Sequence, residues 1–259
     1  MEDLIQLDIV DLVLALGMIA IAIGLSAWEQ LGLELSLALA SARTILQLLV
    51  LGYLLAFVFA FDNPWAVMVF LAIMLTIAAV IARNQISKKY PTLLPLVWVS
   101  ILVSTVLTLS YTNLLIIQPQ KWYEAQYLIP LAGIVIGNAM NAAAIAGERL
   151  VSTINASQLE IETHLSLGAT PQQAVTQYRK DAIKVGLIST LNSMMLVGLV
   201  TLPGIMTGQL LSGINPLDAA SYQILIMFML AFANLITTLL VTYGLCRQSF
   251  NSVAQLIIK

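Results

Sequence analysis

Seven apolar runs, each close to the roughly 20 residues a helix needs to cross a bilayer, constrain this chain before any motif does. They are Val10–Trp28, Ser36–Phe59, Trp65–Ala82, Thr92–Leu109, Tyr127–Ala146, Val185–Met206 and Tyr222–Leu245. Backbone polar groups in hydrocarbon must be satisfied within the protein, so runs of this length fold as helices. Soluble domains average about 45–50% apolar and 25% charged residues; here the figures are 60% and 9%, with a mean hydropathy of +0.95. The expected fold class is all-α, a polytopic membrane protein with about seven transmembrane helices. Connections are short and carry turn chemistry at Asp62-Asn63-Pro64, Tyr90-Pro91, Gln118-Pro119 and Asn215-Pro216. No long linker, low-complexity tract or convincing internal repeat separates them, so residues 1–259 read as a single transmembrane domain. The acidic start, Met-Glu-Asp-Leu-Ile-Gln-Leu-Asp, is unlike a basic secretory signal, and the first run is expected to be retained as a membrane helix.

Lysine and arginine accumulate on the cytoplasmic side of membrane proteins. With the N-terminus outside, Arg43, Arg83, Lys88, Lys89, Arg149, Arg179, Lys180, Lys184, Arg247 and Lys259 fall at or near the cytoplasmic side, and only Lys121 falls outside. An N-out, C-in arrangement follows. The net charge of -2 says less than this placement. Cys246, the single cysteine, excludes an intrachain disulfide or a thiolate cluster. The chain contains no His-Glu-x-x-His, Gly-x-Ser-x-Gly or Gly-x-x-x-x-Gly-Lys motif, and His164 is its only histidine. Enzymatic hydrolysis within the chain is not expected; any nucleotide hydrolysis falls to a partner.

One long polar interval, from Asn155 to Ala174, interrupts the hydrocarbon between the fifth and sixth runs. Ser157 with Glu160 three residues later has the pattern of a capping box, which starts a helix. Gly168 is placed to stop it in the left-handed conformation. Thr170, Pro171 and Gln173 repeat the start signal, with threonine as cap and proline at the first helical position. A short helix, a sharp break and a second helix entering the next run are expected, on the cytoplasmic side, as a handle for something outside the membrane.

The fifth run ends in Ile136-Gly-Asn-Ala-Met-Asn-Ala-Ala-Ala-Ile-Ala-Gly-Glu-Arg-Leu150. Its small residues, Gly133, Gly137, Ala139, Ala142, Ala143, Ala146 and Gly147, permit close helix approach. Asn138 and Asn141 share a face and need partners in hydrocarbon, either as glue between helices or along an aqueous path. Candidates for lining a path are Arg43, Gln47, Asn138, Met140, Asn141, Glu148, Asn192 and Met195. Arg43 with Thr44 and Gln47 either snorkels or faces a cavity, and Asn234, Thr237 and Thr238 make the seventh run polar. Thr201-Leu-Pro-Gly is expected to break or end the sixth helix near Pro203. Ten methionines suit either core filling or a soft metal, so the metal ligands stay unknown.

Glu162-Thr-His-Leu-Ser-Leu-Gly-Ala-Thr-Pro-Gln-Gln-Ala resembles the Glu-Ala-Ala loop of bacterial ABC-importer permeases, with Thr163 and His164 in place of the alanines. Together with Gly-Asn-x-Met-Asn-Ala-Ala in the fifth run and Arg-Asn-Gln-Ile-Ser-Lys-Lys-Tyr-Pro after the third, it is similar to the FetB-type family over nearly the whole chain. That family comprises ABC permeases proposed to export iron in bacteria and related to plant membrane proteins of aluminium tolerance. The resemblance implies a permease subunit in the bacterial inner membrane, paired as a homodimer with a separate ATP-binding subunit that holds ATP and magnesium. No cofactor in this chain and no nucleic-acid partner is implied, only membrane lipid. It further implies that Ser157, Glu160, Glu162, His164, Leu165, Leu167, Gly168, Ala169, Thr170 and Pro171 couple to the ATPase. Iron or a metal-related solute is the implied cargo, with a nucleotide sugar or another small solute as the alternative. A carrier driven by an ion gradient is the competing class, and it would need intramembrane acids that the runs lack away from their ends.

Overall fold

A computed structural model describes residues 8–61, 63–87, 92–119, 121–251 and 255–256. These form nine α-helices and no named strand among the described residues: α1 (Ile9–Trp28), α2 (Glu34–Phe61), α3 (Pro64–Ile86), α4 (Leu93–Tyr111), α5 (Ala125–Ala156), α6 (Gln158–Ser166), α7 (Pro171–Leu196), α8 (Gly204–Leu211) and α9 (Pro216–Gln248). A π-helical turn, Thr112–Ile117, continues α4. Two compact units result: α1 and α2 with residues 211–213, and the remainder of the chain from Pro64 onward.

The first unit is a helical hairpin. Its turn uses left-handed backbone at Gln30 (φ 53°) and Gly32 (φ 68°). Ser26 clamps it, donating to Glu34 at 3.0 Å and accepting the Leu33 amide at 3.3 Å.

The second unit is organised around α5, which packs against α9, α3, α7 and α4. Small residues allow this. A Cβ on Gly186 of α7 would lie 2.8 Å from the Ala146 Cβ and 3.1 Å from the Ala142 carbonyl oxygen of α5. One on Gly147 would meet Ile86 of α3 at 2.6 Å. The expected small-residue seam is therefore present along Ala139, Ala142, Ala143 and Ala146, all buried. Gly137 differs, because nothing lies within 4 Å of the position its Cβ would take.

Neighbouring contacts fix helix directions. Gly186 lies by Ala146 while Tyr178 reaches Ser157, so α7 runs antiparallel to α5. Arg179 bonds Thr242 and Thr190 bonds Asn234, so α7 also runs antiparallel to α9. Hence α5 and α9 are parallel. Both are apolar enough to span, and the chain has to return between them through α7 and the residues after it.

Six helices are long and apolar enough to cross a membrane among the described residues: α1, α2, α3, α4 with its π turn, α5 and α9. The sixth expected run, Val185–Met206, is not one helix. The break comes at Val197, earlier than Pro203, because Gly198 adopts φ 78° and its amide donates to the Thr201 carbonyl at 3.0 Å. Pro203 instead opens α8, its carbonyl accepting the Thr207 amide at 2.9 Å. The first half of α7 carries Arg179, Lys180, Asp181 and Lys184, which leaves a charge-free stretch, Val185–Leu196, rising only about 18 Å.

Candidate functional site

The helix directions bring the C-terminal ends of α3, α5 and α9 together with the start of α7. Arg83, Arg149, Arg179, Lys180, Lys184 and Arg247 thus gather at one end of the second unit. Lys121 lies before α5, at the opposite end; Lys88, Lys89 and Lys259 fall outside the described residues. The polar interval sits at the basic end.

Its local geometry follows from a few residues. No capping box forms at Ser157, contrary to expectation. Nothing stops α5 there: the Ser157 amide donates to Thr153 at 2.9 Å, and the Ile161 amide donates to Ser157 at 3.0 Å, so helical bonding runs nearly through the corner. The Ser157 side chain instead meets the Tyr178 hydroxyl, which also bonds Glu160. Burial first, then the bond to Glu160, raises the Tyr178 pKa above its ordinary value, with Ser157 opposing. Tyr178 therefore ties α6 to α7, and Ile161, fully buried, anchors the inner face.

The far end of α6 behaves as expected. Gly168 takes φ 92°, its amide donates to Leu165, and the Ala169 amide donates to His164, both at 3.0 Å. Those two bonds are a Schellman stop. Thr170 then caps α7: its hydroxyl accepts the Gln173 amide at 3.3 Å, and the Gln173 side chain accepts the Thr170 amide at 2.9 Å. Pro171 occupies the first turn. Leu165, Ala169 and Pro171 are half-buried. On the outer face Leu159 is 80% and Leu167 81% exposed, alongside Glu162 and Thr163. His164 lies 4.0 Å from Glu160, with both side chains more than half exposed.

Path candidates fall in three groups. Arg43 and Gln47 are exposed on α2 in the first unit. On α5, Asn138 and Met140 are half-buried, while Asn141 and Glu148 are exposed. Asn138 donates to the Ile134 carbonyl at 2.9 Å, satisfying itself within its own helix. Asn192 and Met195 are exposed on α7. The spacing Gly137, Asn138, Asn141, Ile145, Glu148 makes one stripe on the central helix, half-buried at Gly137 and Asn138 and exposed from Asn141 onward.

Between helices lies a second polar set. Asn234, 2% exposed, donates to Thr190 at 2.7 Å, and Thr237 donates to Ser104 at 2.6 Å. The carbonyl oxygen of Asn234 has no partner. The sequence marked Asn234 and Thr237 as polar; their partners, and Tyr178, depend on helix pairing that no local pattern encodes. Thr190→Val should lower unfolding stability in detergent by on the order of 1 kcal/mol, with Thr190→Ser close to wild type in a thermal melt. Equal melting of Thr190→Val and wild type would remove this bond from the account. No group of three or more His, Cys, Asp or Glu that could hold a metal occurs among the described residues.

The family model described as "Uncharacterised protein family (UPF0014)" matches residues 9–250. The chain belongs to the UPF0014 family. Among UPF0014 relatives, it is 52% identical to UPF0014 membrane protein slr1647 of Synechocystis sp. over 98% of each chain. It is 34% identical to the probable iron export permease protein FetB of Escherichia coli, covering 95% of this chain and 94% of that one. It is 35% identical to Protein ALUMINUM SENSITIVE 3 of Arabidopsis thaliana, covering 91% and 85%. No solved structure matches the chain. Family membership and six apolar spans together make this UPF0014 chain a multi-pass membrane protein.

Proposed function

We propose that the chain is the membrane-spanning subunit of an ATP-driven exporter, paired with a second copy and with a separate ATP-binding subunit that supplies ATP and magnesium. One observation carries this reading. Beyond the spans, at the basic end, α6 is held rigidly by Ile161, Tyr178, the Gly168 stop and the Thr170 cap, yet presents Leu159 and Leu167 to solvent. A braced helix with two uncovered leucines is a lever for a partner. The gathered basic residues support assigning that end to the cytoplasm, where ATP is.

In this mechanism, ATP-driven closure of two ATP-binding subunits draws the two α6 helices together. Because α5 continues almost unbroken into α6, the motion reaches the α5 stripe directly. Two states differing at the α6 contact are needed for nucleotide to shift anything. Iron is the cargo carried over from the name of the Escherichia coli relative. It would pass against the Asn138 and Asn141 amides and the Glu148 carboxylate along the stripe.

The governing experiment is ATP-dependent iron uptake into inverted vesicles holding both subunits; uptake that ignores nucleotide would sink the reading. Asn141, exposed midway along a spanning helix, is costly facing lipid and is assigned to the path between copies. Asn141→Leu is expected to cut ATP-dependent transport at least about tenfold, roughly 1.4 kcal/mol, with unchanged membrane insertion. Full transport by this variant would return Asn141 to a structural role.

A further inference from the structure

We propose that the cleft between the first half of α7 and the last turns of α9 binds a phosphate-bearing anion, its occupant an anionic phospholipid of the surrounding bilayer. The cleft encloses about 710 Å³. Arg179, Lys180 and Arg247 line it, and among the described residues no carboxylate does. Neither described salt bridge involves any of the three cations: one joins His164 to Glu160, the other Lys184 to Asp181. Arg179 is held in place, donating to Thr242 at 3.3 Å and lying 5.5 Å from the Tyr243 ring centroid. Arg247 approaches the same ring at 5.9 Å. Two guanidiniums on one tyrosine repel each other, and an anion between them removes that cost.

The other wall selects the source of the phosphate. Ile183, Leu239 and Phe250 line the same cleft, and a free phosphate has no use for them, whereas the acyl part of a lipid does. The cleft lies where the charged half of α7 meets the end of an apolar span, and basic pockets between helices at the cytoplasmic boundary suit anionic headgroups. Thr170 and Pro171 border it as well, so its occupant braces the start of α7. This inference needs only the membrane placement and is independent of the transport reading.

The test is native mass spectrometry of the purified full-length protein, stripped of lipid and titrated with dioleoylphosphatidylglycerol or dioleoylphosphatidylcholine. The anionic lipid is expected to bind at least about tenfold more tightly than the zwitterionic one. Lys180→Gln with Arg247→Gln should weaken it roughly thirtyfold, about fivefold per cation removed. Lys180→Arg with Arg247→Lys should retain it. Size-exclusion elution and melting like wild type establish that the variants fold; should the double variant fail, Arg247→Gln alone is read for its fivefold loss. Equal affinity for the two lipids, or full binding by the charge-removed variant, overturns the site. Displacement of phosphatidylglycerol by millimolar inorganic phosphate would keep an anion site and overturn the lipid as its occupant.

Discussion

Gly186→Leu is expected to abolish monodisperse, folded protein in detergent extracts. The position leaves no room: a Cβ alone would sit 2.8 Å from Ala146, 3.0 Å from Thr238 and 3.1 Å from the Ala142 carbonyl oxygen. Two of these neighbours, a Cβ and a backbone oxygen, cannot rotate away. The helices themselves would have to separate, and α7 contacts both α5 and α9 here. Overpacking a good core costs about 1–3 kcal/mol or more, and four heavy atoms at this contact reach the upper end. Gly137→Leu is the control, since open space surrounds that glycine. Fluorescence-detected size exclusion reads both. A Gly186→Leu protein with wild-type yield and melting would mean that α5 and α7 do not meet as described.

Gly168→Pro is the second large effect, and it acts on the proposed coupling rather than on the bundle. Proline fixes φ near −65°, while Gly168 sits at 92° and uses its amide in the stop. The substitution removes that bond and forbids the conformation, so α6 loses its angle to α7. Gly168 is exposed, and α3, α4, α5 and α9 do not depend on it. Transport-linked ATP hydrolysis in the reconstituted complex should fall at least about a hundredfold, roughly 2.7 kcal/mol, with the spans still assembled. Glu162→Lys, on the exposed face of α6, should weaken capture of the ATP-binding subunit without disturbing the Gly168 stop. Undiminished hydrolysis in Gly168→Pro would contradict transmission through this corner.

What could be read ahead of the structure was whatever local chemistry decides. Thr170, Pro171 and Gln173 satisfy the first amides of α7 among themselves, and Gly168 alone can take its backbone angle, so both ends were legible. Ser157 misled because a start signal says nothing about whether the previous helix has stopped. Asn155 and Ala156 offer no glycine or proline, and α5 continued through them. The α7 break moved for a similar reason: Gly198 could turn five residues before the proline that looked like the breaker. Tyr178, and the pairs Thr190–Asn234 and Ser104–Thr237, join residues far apart in sequence, where only the packing of helices selects partners.

The early end of α7 has a further consequence. Carrying the Thr190–Asn234 register onward sets Leu196 opposite about residue 228 of α9, roughly 18 Å from that helix's start. Irregular backbone, Val197 to Pro203, therefore lies within the depth of the leaflet away from the basic end. Peptide groups there are tolerated only against protein or water. One leaflet thus meets α7 as continuous helix and the other meets its unwound continuation, whose peptide groups call for protein or water beside them, so the two leaflets do not see the same surface.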